Sequence, residues 1–150
     1  KTSESYIDIK CDKYFDGFEL KEAYPYEFSD ADGWAVVPLE VTTHGDVVDY
    51  YYDIYVGDLT GDDAPTDNQL ILDLAEYGRK NEPIAMSYCY FYEPLTLVYF
   101  AKDGDDNNSV VTRVPMFLYP ETANDVSEFN YYDNKSAAKQ FYRREFSATR

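Results

Sequence analysis

Between Glu22 and Gly78 the chain carries fourteen Asp and Glu residues and no Lys or Arg, a 57-residue stretch in which only His44 can add positive charge. This stretch constrains the fold more than any other feature. An unpaired carboxylate is heavily penalised away from water, so these groups are expected to face outward, toward solvent or a partner. Surface helices laced with Lys–Glu pairs are excluded there, because the cations are missing. Tyr and Asp take their place, and tyrosine favours strands.

Strand periodicity is clearest inside the same stretch. Residues 34–43 and 47–56 alternate on either side of His44-Gly45-Asp46, which predicts a long hairpin with a three-residue turn. Ala35, Val37, Leu39 and Val41 share one face of the first strand. On the second, Val48, Tyr50, Tyr52, Ile54 and Val56 form the apolar face, and Asp49, Tyr51, Asp53 and Tyr55 alternate opposite them. Pro38 cannot donate a ladder hydrogen bond, which predicts an edge or a bulge at that point.

Other segments read more briefly. Residues 5–11 alternate as a half-buried strand, and Asp16-Gly17 reads as a hairpin turn between Tyr14-Phe15 and Phe18–Leu20. Asp67 or Asn68 is placed to cap a helix over 69–77, with Leu70, Ile71 and Leu74 on one stripe and Gly78 as the stop. Strands are predicted over 84–92, 95–101 and 110–119, and a short basic helix over 136–146. No internal repeat or low-complexity linker divides the chain, so residues 1–150 read as a single β-rich domain with 135–150 as a basic helical tail. The fold class is mainly β, an antiparallel sandwich or sheet with one short helix. The alternative is α+β, with the helix packed on an antiparallel sheet.

The net charge of −16 is unevenly spread: residues 135–150 carry +4, leaving −20 on the rest. Such a body repels nucleic acid and anionic membrane, which argues against direct nucleic-acid binding and for a basic protein partner. The basic tail either folds back onto the acidic body or leads into a following domain. No apolar run approaches the roughly 18 residues of a membrane span. A start at Lys1, with no initiator Met and no leader-like apolar segment, reads as a mature or trimmed product. That context suggests a secreted or surface-attached protein, with a cytoplasmic one as the alternative. Cys11 and Cys89 both lie in strand-like runs and are the disulfide candidates. Bridged, they stabilise by about 4.5 kcal/mol on the chain-entropy account; reduced, each is a small hydrophobe.

The chemistry-bearing residues argue against an enzyme. Any nucleophilic site has to use His44, the sole histidine, which sits in a tight turn. No G-x-S-x-G, glycine-rich phosphate loop or H-E-x-x-H is present. Two Cys and one His are too few for a usual zinc site. No catalytic residue and no cofactor is therefore assigned, calcium excepted. Two loops hold the oxygen donors a calcium ion takes: Asp58 and Asp62 in the first, Asp103, Asp105 and Asn107 in the second. The first resembles the opening of an EF-hand or dockerin loop, but Asp63 replaces the turn glycine and Gln69 the closing acid. Solvated turns of Asp, Asn and Gly are the commoner explanation of both loops.

The stripe Asp49, Tyr51, Asp53, Tyr55 is the most suggestive surface. Its side chains repeat about every 6.6 Å, near the spacing of successive phosphates on a nucleic-acid strand, which is about 7 Å once rise and radius are combined. Tyrosine also provides rigid contact area at interfaces. The leading expectation is a non-enzymatic protein-binding module using this acidic strand and loop surface. The alternative is an acidic inhibitor that imitates nucleic acid to neutralise a basic nuclease or DNA-binding partner. An ordinary wet sheet face carries the same alternation.

Overall fold

The computed structural model describes residues 1–130 and 140–146. Its strands are β1 (Tyr6–Lys10), β2 (Phe15–Asp16), β3 (Ala35–His44), β4 (Val47–Val56), β5 (Arg79–Lys80), β6 (Ile84–Cys89), β7 (Pro94–Asp103), β8 (Thr112–Phe117) and β9 (Gln140–Tyr142). Two helices, α1 (Gly17–Ala23) and α2 (Asp67–Tyr77), accompany them. The first sheet runs β1-β3-β6-β9, with β2 beside β1 on the same flank of β3; the second runs β5-β4-β7-β8. All pairs are antiparallel except β6 with β9. The protein is thus mainly β, as the periodicity indicates. No helix among the described residues is long and apolar enough to cross a membrane.

The two sheets pack face to face. Ala35, Val37, Leu39 and Ala85 of the first meet Tyr50, Tyr52, Ile54, Leu95 and Leu97 of the second in one buried core. Each of the larger side chains contributes about 1.5–3 kcal/mol by leaving water. The Tyr52 hydroxyl is satisfied inside by donating to the Glu82 carbonyl at 2.7 Å. The outer faces are covered too. Phe15, Leu20, Phe28, Met86 and Tyr88 form a second core under α1 and the following loop, and Tyr51, Tyr55, Leu70, Leu74 and Phe100 form a third under α2.

β3 and β4 do not form the expected hairpin. β3 pairs with β1, β2 and β6, and β4 with β5 and β7, so the turn at Gly45 carries the chain from one sheet to the other. Alternation is satisfied by either arrangement, because the apolar faces of both strands meet across the core instead of side by side. Gly45 has φ +84°, open to glycine, and a Cβ there would fall 2.7 Å from the Ser5 hydroxyl. A bulge between Val47 and Asp49 leaves Val48 exposed, off the apolar face it was assigned to.

Asp16-Gly17 is a helix start and no hairpin turn: the Asp16 carboxylate accepts from the Phe18 amide at 3.0 Å and caps α1. A Cβ on Gly17 would sit 2.0 Å from the Ala31 carbonyl oxygen, so only glycine lets the two backbones approach. α2 starts slightly early, with Thr66 as its cap in a reciprocal capping box with Gln69, and Gly78 ends it. Pro38 fits without a bulge. The Val41 amide points to the β6 side, where it donates to Pro83, so alternation turns the missing N–H of Pro38 toward the other flank. There β1 ends at Glu40 and β2 pairs only with Ala35 and Val36, which leaves nothing for it to bond.

The basic helix expected over 136–146 is absent from 140–146, where Gln140–Tyr142 is strand β9; residues 131–139 and 147–150 lie outside the described residues. After β9 the chain crosses to the second sheet. The Arg143 amide donates to Tyr88 of β6 and the Arg144 amide to Ile54 of β4, while the Val56 amide donates to Arg144. Residues 140–146 thus strap the two sheets together along one side.

Candidate functional site

The acidic-aromatic stripe is not a surface. Tyr51 and Tyr55 lie beneath α2, and Asp53 is 1% exposed; only Asp49 is half-open, accepting from Asn81 at 2.8 Å with Lys80 at 4.0 Å. α2 covers the face that alternation alone leaves unassigned. The cation for Asp53 comes from the strap. The Arg144 guanidinium bonds the Asp53 carboxylate, reaches Asp73 of α2 at 2.6 Å and donates to the Tyr55 hydroxyl at 3.0 Å. Tyr55 in turn donates to Asp73 at 2.5 Å. Burial pushes the Asp53 carboxyl up to about 6, against the pull of Arg144, Arg79 and the Ile54 amide. The carboxylates next to it raise the Arg144 guanidinium, although burial opposes them.

The proposed calcium loops close on themselves. Asp58 accepts from the amide and hydroxyl of Thr60, and Asp62 is exposed. Asp103 accepts from the Ser3 hydroxyl at 2.5 Å and from the amides of Asp105 and Asn107 at 2.9 and 3.0 Å. The Ser3 bond first, and then the Asn107 amide, hold its carboxyl below the ordinary range. These are turns built by Asp side chains. Among the described residues no group of three or more His, Cys, Asp or Glu stands close enough to hold a metal ion.

Cys11 and Cys89 are free thiols. β1 and β6 flank β3 on opposite sides, which separates their backbones by about 10 Å across the sheet alone. That exceeds the reach of a disulfide. Burial pushes the Cys89 thiol up to about 12, so it packs as a hydrophobe. His44 ends β3, stacks on Tyr6 and bonds Asp8 at 2.9 Å. A concavity of about 240 Å³ opens where β1 and β2 leave β3 uncovered, lined by charges of both signs: Lys10, Lys13, Glu40 and Glu128.

A different group of residues is exposed together, at the end of the sandwich where β6 turns into β7. The turn Tyr90-Phe91-Tyr92-Glu93 ends at Pro94, which pairs with Phe117 at the end of β8. Tyr92 has φ +59°. Backbone in this region costs an L-residue roughly 1–2 kcal/mol, and Asn81 and Asp106, the other non-glycine residues there among the described ones, are of the tolerant kind. An aromatic is not. Its amide donates to the Leu118 carbonyl at 2.9 Å, and its ring meets Tyr119 edge-on at 5.9 Å. Its hydroxyl donates to the Glu121 carboxylate, and Phe117 lies 5.0 Å from Tyr119. That hydroxyl holds Glu121 below the usual carboxylate range, so the group is ionised at neutral pH. Tyr92 is 56% exposed, and Tyr119 and Phe117 nearly as open.

Beside them Trp34 stacks on Tyr90 at 4.5 Å, with Tyr142 edge-on to Trp34 at 4.8 Å. Arg143 lies over Tyr90 at 4.2 Å and over Trp34 at 5.6 Å, and pairs with both oxygens of Glu93 at 3.0 and 3.4 Å. Sequence reasoning misses this end because a strand predicted over 84–92 absorbs Tyr90 and Tyr92 as ordinary β residues. The readable signal is aromatics running directly into Glu93-Pro94, a turn that exposes them. Comparison with protein-family models, with curated proteins and with solved structures finds no match in any of the three.

Proposed function

We propose that the protein is a non-enzymatic protein-binding module that meets its partner through this aromatic end, with Tyr92 at the centre. One observation carries it: a bulky tyrosine held in a costly backbone conformation, its ring largely in water. Strain of this kind clusters at ligand clamps. A turn selected for stability alone would place Gly or Asn at that position. The composition agrees, because Trp, Tyr and Arg dominate the energetics of protein interfaces. A partner of opposite charge to this acidic chain would also be steered to it. The surface differs from the Asp49–Tyr55 stripe, of which Tyr51, Asp53 and Tyr55 are buried.

The test places a photo-reactive phenylalanine analogue at Tyr92, Tyr119 or, as control, the fully exposed Tyr26. Each is cross-linked in lysate and medium of the source cell. A discrete product from positions 92 and 119 is expected, competed by excess wild-type protein. The Tyr92→Ala/Tyr119→Ala protein should compete at least about 30-fold less well, the loss of a typical hot spot of about 2 kcal/mol. Equal labelling from position 26, or full competition by the double variant, would rule the surface out.

A further inference from the structure

Four of the chain's own cations repeat one arrangement. Arg143 lies on Tyr90 and Trp34 and pairs with Glu93; Arg144 lies on Tyr55 and Tyr77 and pairs with Asp53 and Asp73. Lys80 lies over Tyr51 beside Asp49, and Arg79 over Phe141 beside Glu82. In each case a ring face and a carboxylate share one positive group. Cation–π attraction and ion pairing act on the same group, and the ring excludes water from one side of the pair.

The Tyr92, Phe117, Tyr119 and Glu121 cluster has the rings and the carboxylate. Among the described residues no Lys or Arg lies over any of its rings. Tyr92 and Tyr119 stand nearly perpendicular, at 82°, and form two walls of a corner. Glu121, in the 3-10 turn that follows β8, places its charge at the Tyr92 hydroxyl. We propose that this corner is a receptor for one basic side chain of a protein partner, a guanidinium or ammonium group seated against Tyr92 and Tyr119 and paired with Glu121. It rests on the protein-binding reading and names the partner's chemistry. The chain's own deficit of positive charge favours that occupant over an apolar or acidic one.

Three short capped peptides test this, Gly-Arg-Gly, Gly-Lys-Gly and the neutral isostere Gly-citrulline-Gly, titrated while ring resonances of Tyr92, Phe117 and Tyr119 are followed by NMR. The Arg peptide is expected to shift those rings saturably, with a Kd on the order of 1–10 mM, the range for a few weak contacts. The citrulline peptide should leave them unmoved. Tyr92→Leu should abolish the shifts and Glu121→Gln weaken them about threefold, each with an otherwise unchanged amide spectrum. In Arg143→Ala the same peptide should gain a second site at Tyr90 and Trp34, since that corner loses its internal cation. Equal binding of citrulline, shifts spread evenly over the acidic surface, or no saturable shift in wild type while Arg143→Ala does bind at Tyr90 would overturn the assignment. A partner cross-linked at Tyr92 with no response to the charged peptides leaves the protein-binding reading standing and removes only the basic side chain.

Discussion

Arg144 is the residue on which the acidic stretch depends. Two carboxylates of that stretch, Asp53 and Asp73, are buried, and both bond this one guanidinium. Replacing it with Met takes away the guanidinium that both buried carboxylates bond, and the expected loss is about 3–5 kcal/mol in urea unfolding. Adding Asp53→Asn and Asp73→Asn to the same chain should recover most of that loss, because a buried ionic cluster is stabilising mainly relative to its own broken form. A loss under about 1 kcal/mol for the single variant would contradict the cluster. Asp53 also sets a pH dependence. Its folded value of about 6 stands above an unfolded value of about 3.9. The folded protein keeps a proton that the unfolded chain has released, so stability is greatest below pH 4 for this group. It declines as pH rises to about 6, by about 3 kcal/mol in all. Unfolding free energies of wild type and Asp53→Asn between pH 4 and 7 should diverge over that window, with wild type losing ground as pH rises; parallel curves would show that Asp53 ionises in the fold without cost.

Among the elements, the strap of residues 140–146 has the largest consequences. Terminal segments usually fray. Here Phe141 is buried in the inter-sheet core, and the amides on either side of the sheet junction bond strands of both sheets. The Arg143 and Arg144 amides should therefore exchange with solvent as slowly as those of β4 and β6, in native-state hydrogen exchange read by NMR. Exchange in the fast class of loop amides would mean the strap opens independently. The same residues explain why a helix was expected. Ala137, Phe141 and Arg144 or Glu145 recur at helical spacing, but Phe141 faces the core and Tyr142 the solvent, a period of two that only the neighbouring β6 imposes. α2 had a local signal: Thr66 and Gln69 cap one end, Gly78 stops the other, and its apolar stripe needs one partner surface. α1 had less, because its cap Asp16 followed by glycine is also what a hairpin turn requires.

Across the whole molecule, acids are spread over both ends of the sandwich, and the exposed rings of one end lie among them. The loop after β7 and the turn at Gly45 carry Asp46, Asp103, Asp105 and Asp106 at one end; at the other, the exposed rings of Tyr90, Tyr92, Phe117 and Tyr119 gather with Glu93 and Glu121, and the acidic loop after β4 starts beside Pro94. Under the proposed function, the field of the acidic body would attract a basic partner at long range, and the rings would provide contact once it arrives. Little of that arrangement was legible beforehand. The alternating faces of β3 and β4 and the positions of β6 and β7 followed from periodicity, and the excess of carboxylates from composition. Tyr92 was not recognisable, since its backbone angle is set by the closing of β7 against β8. The amino-acid order by itself determined which residues alternate, that a helix ends at Gly78, and that the chain is β-rich, because each of these depends on neighbours a few positions apart; it put the start of α2 two residues late. Only the tertiary structure decided that β3 and β4 join different sheets, that the Tyr51–Tyr55 face lies under α2, and that Asp53 finds its cation 91 residues downstream. Those outcomes depend on which apolar faces bury one another, and alternation marks a face without naming its cover.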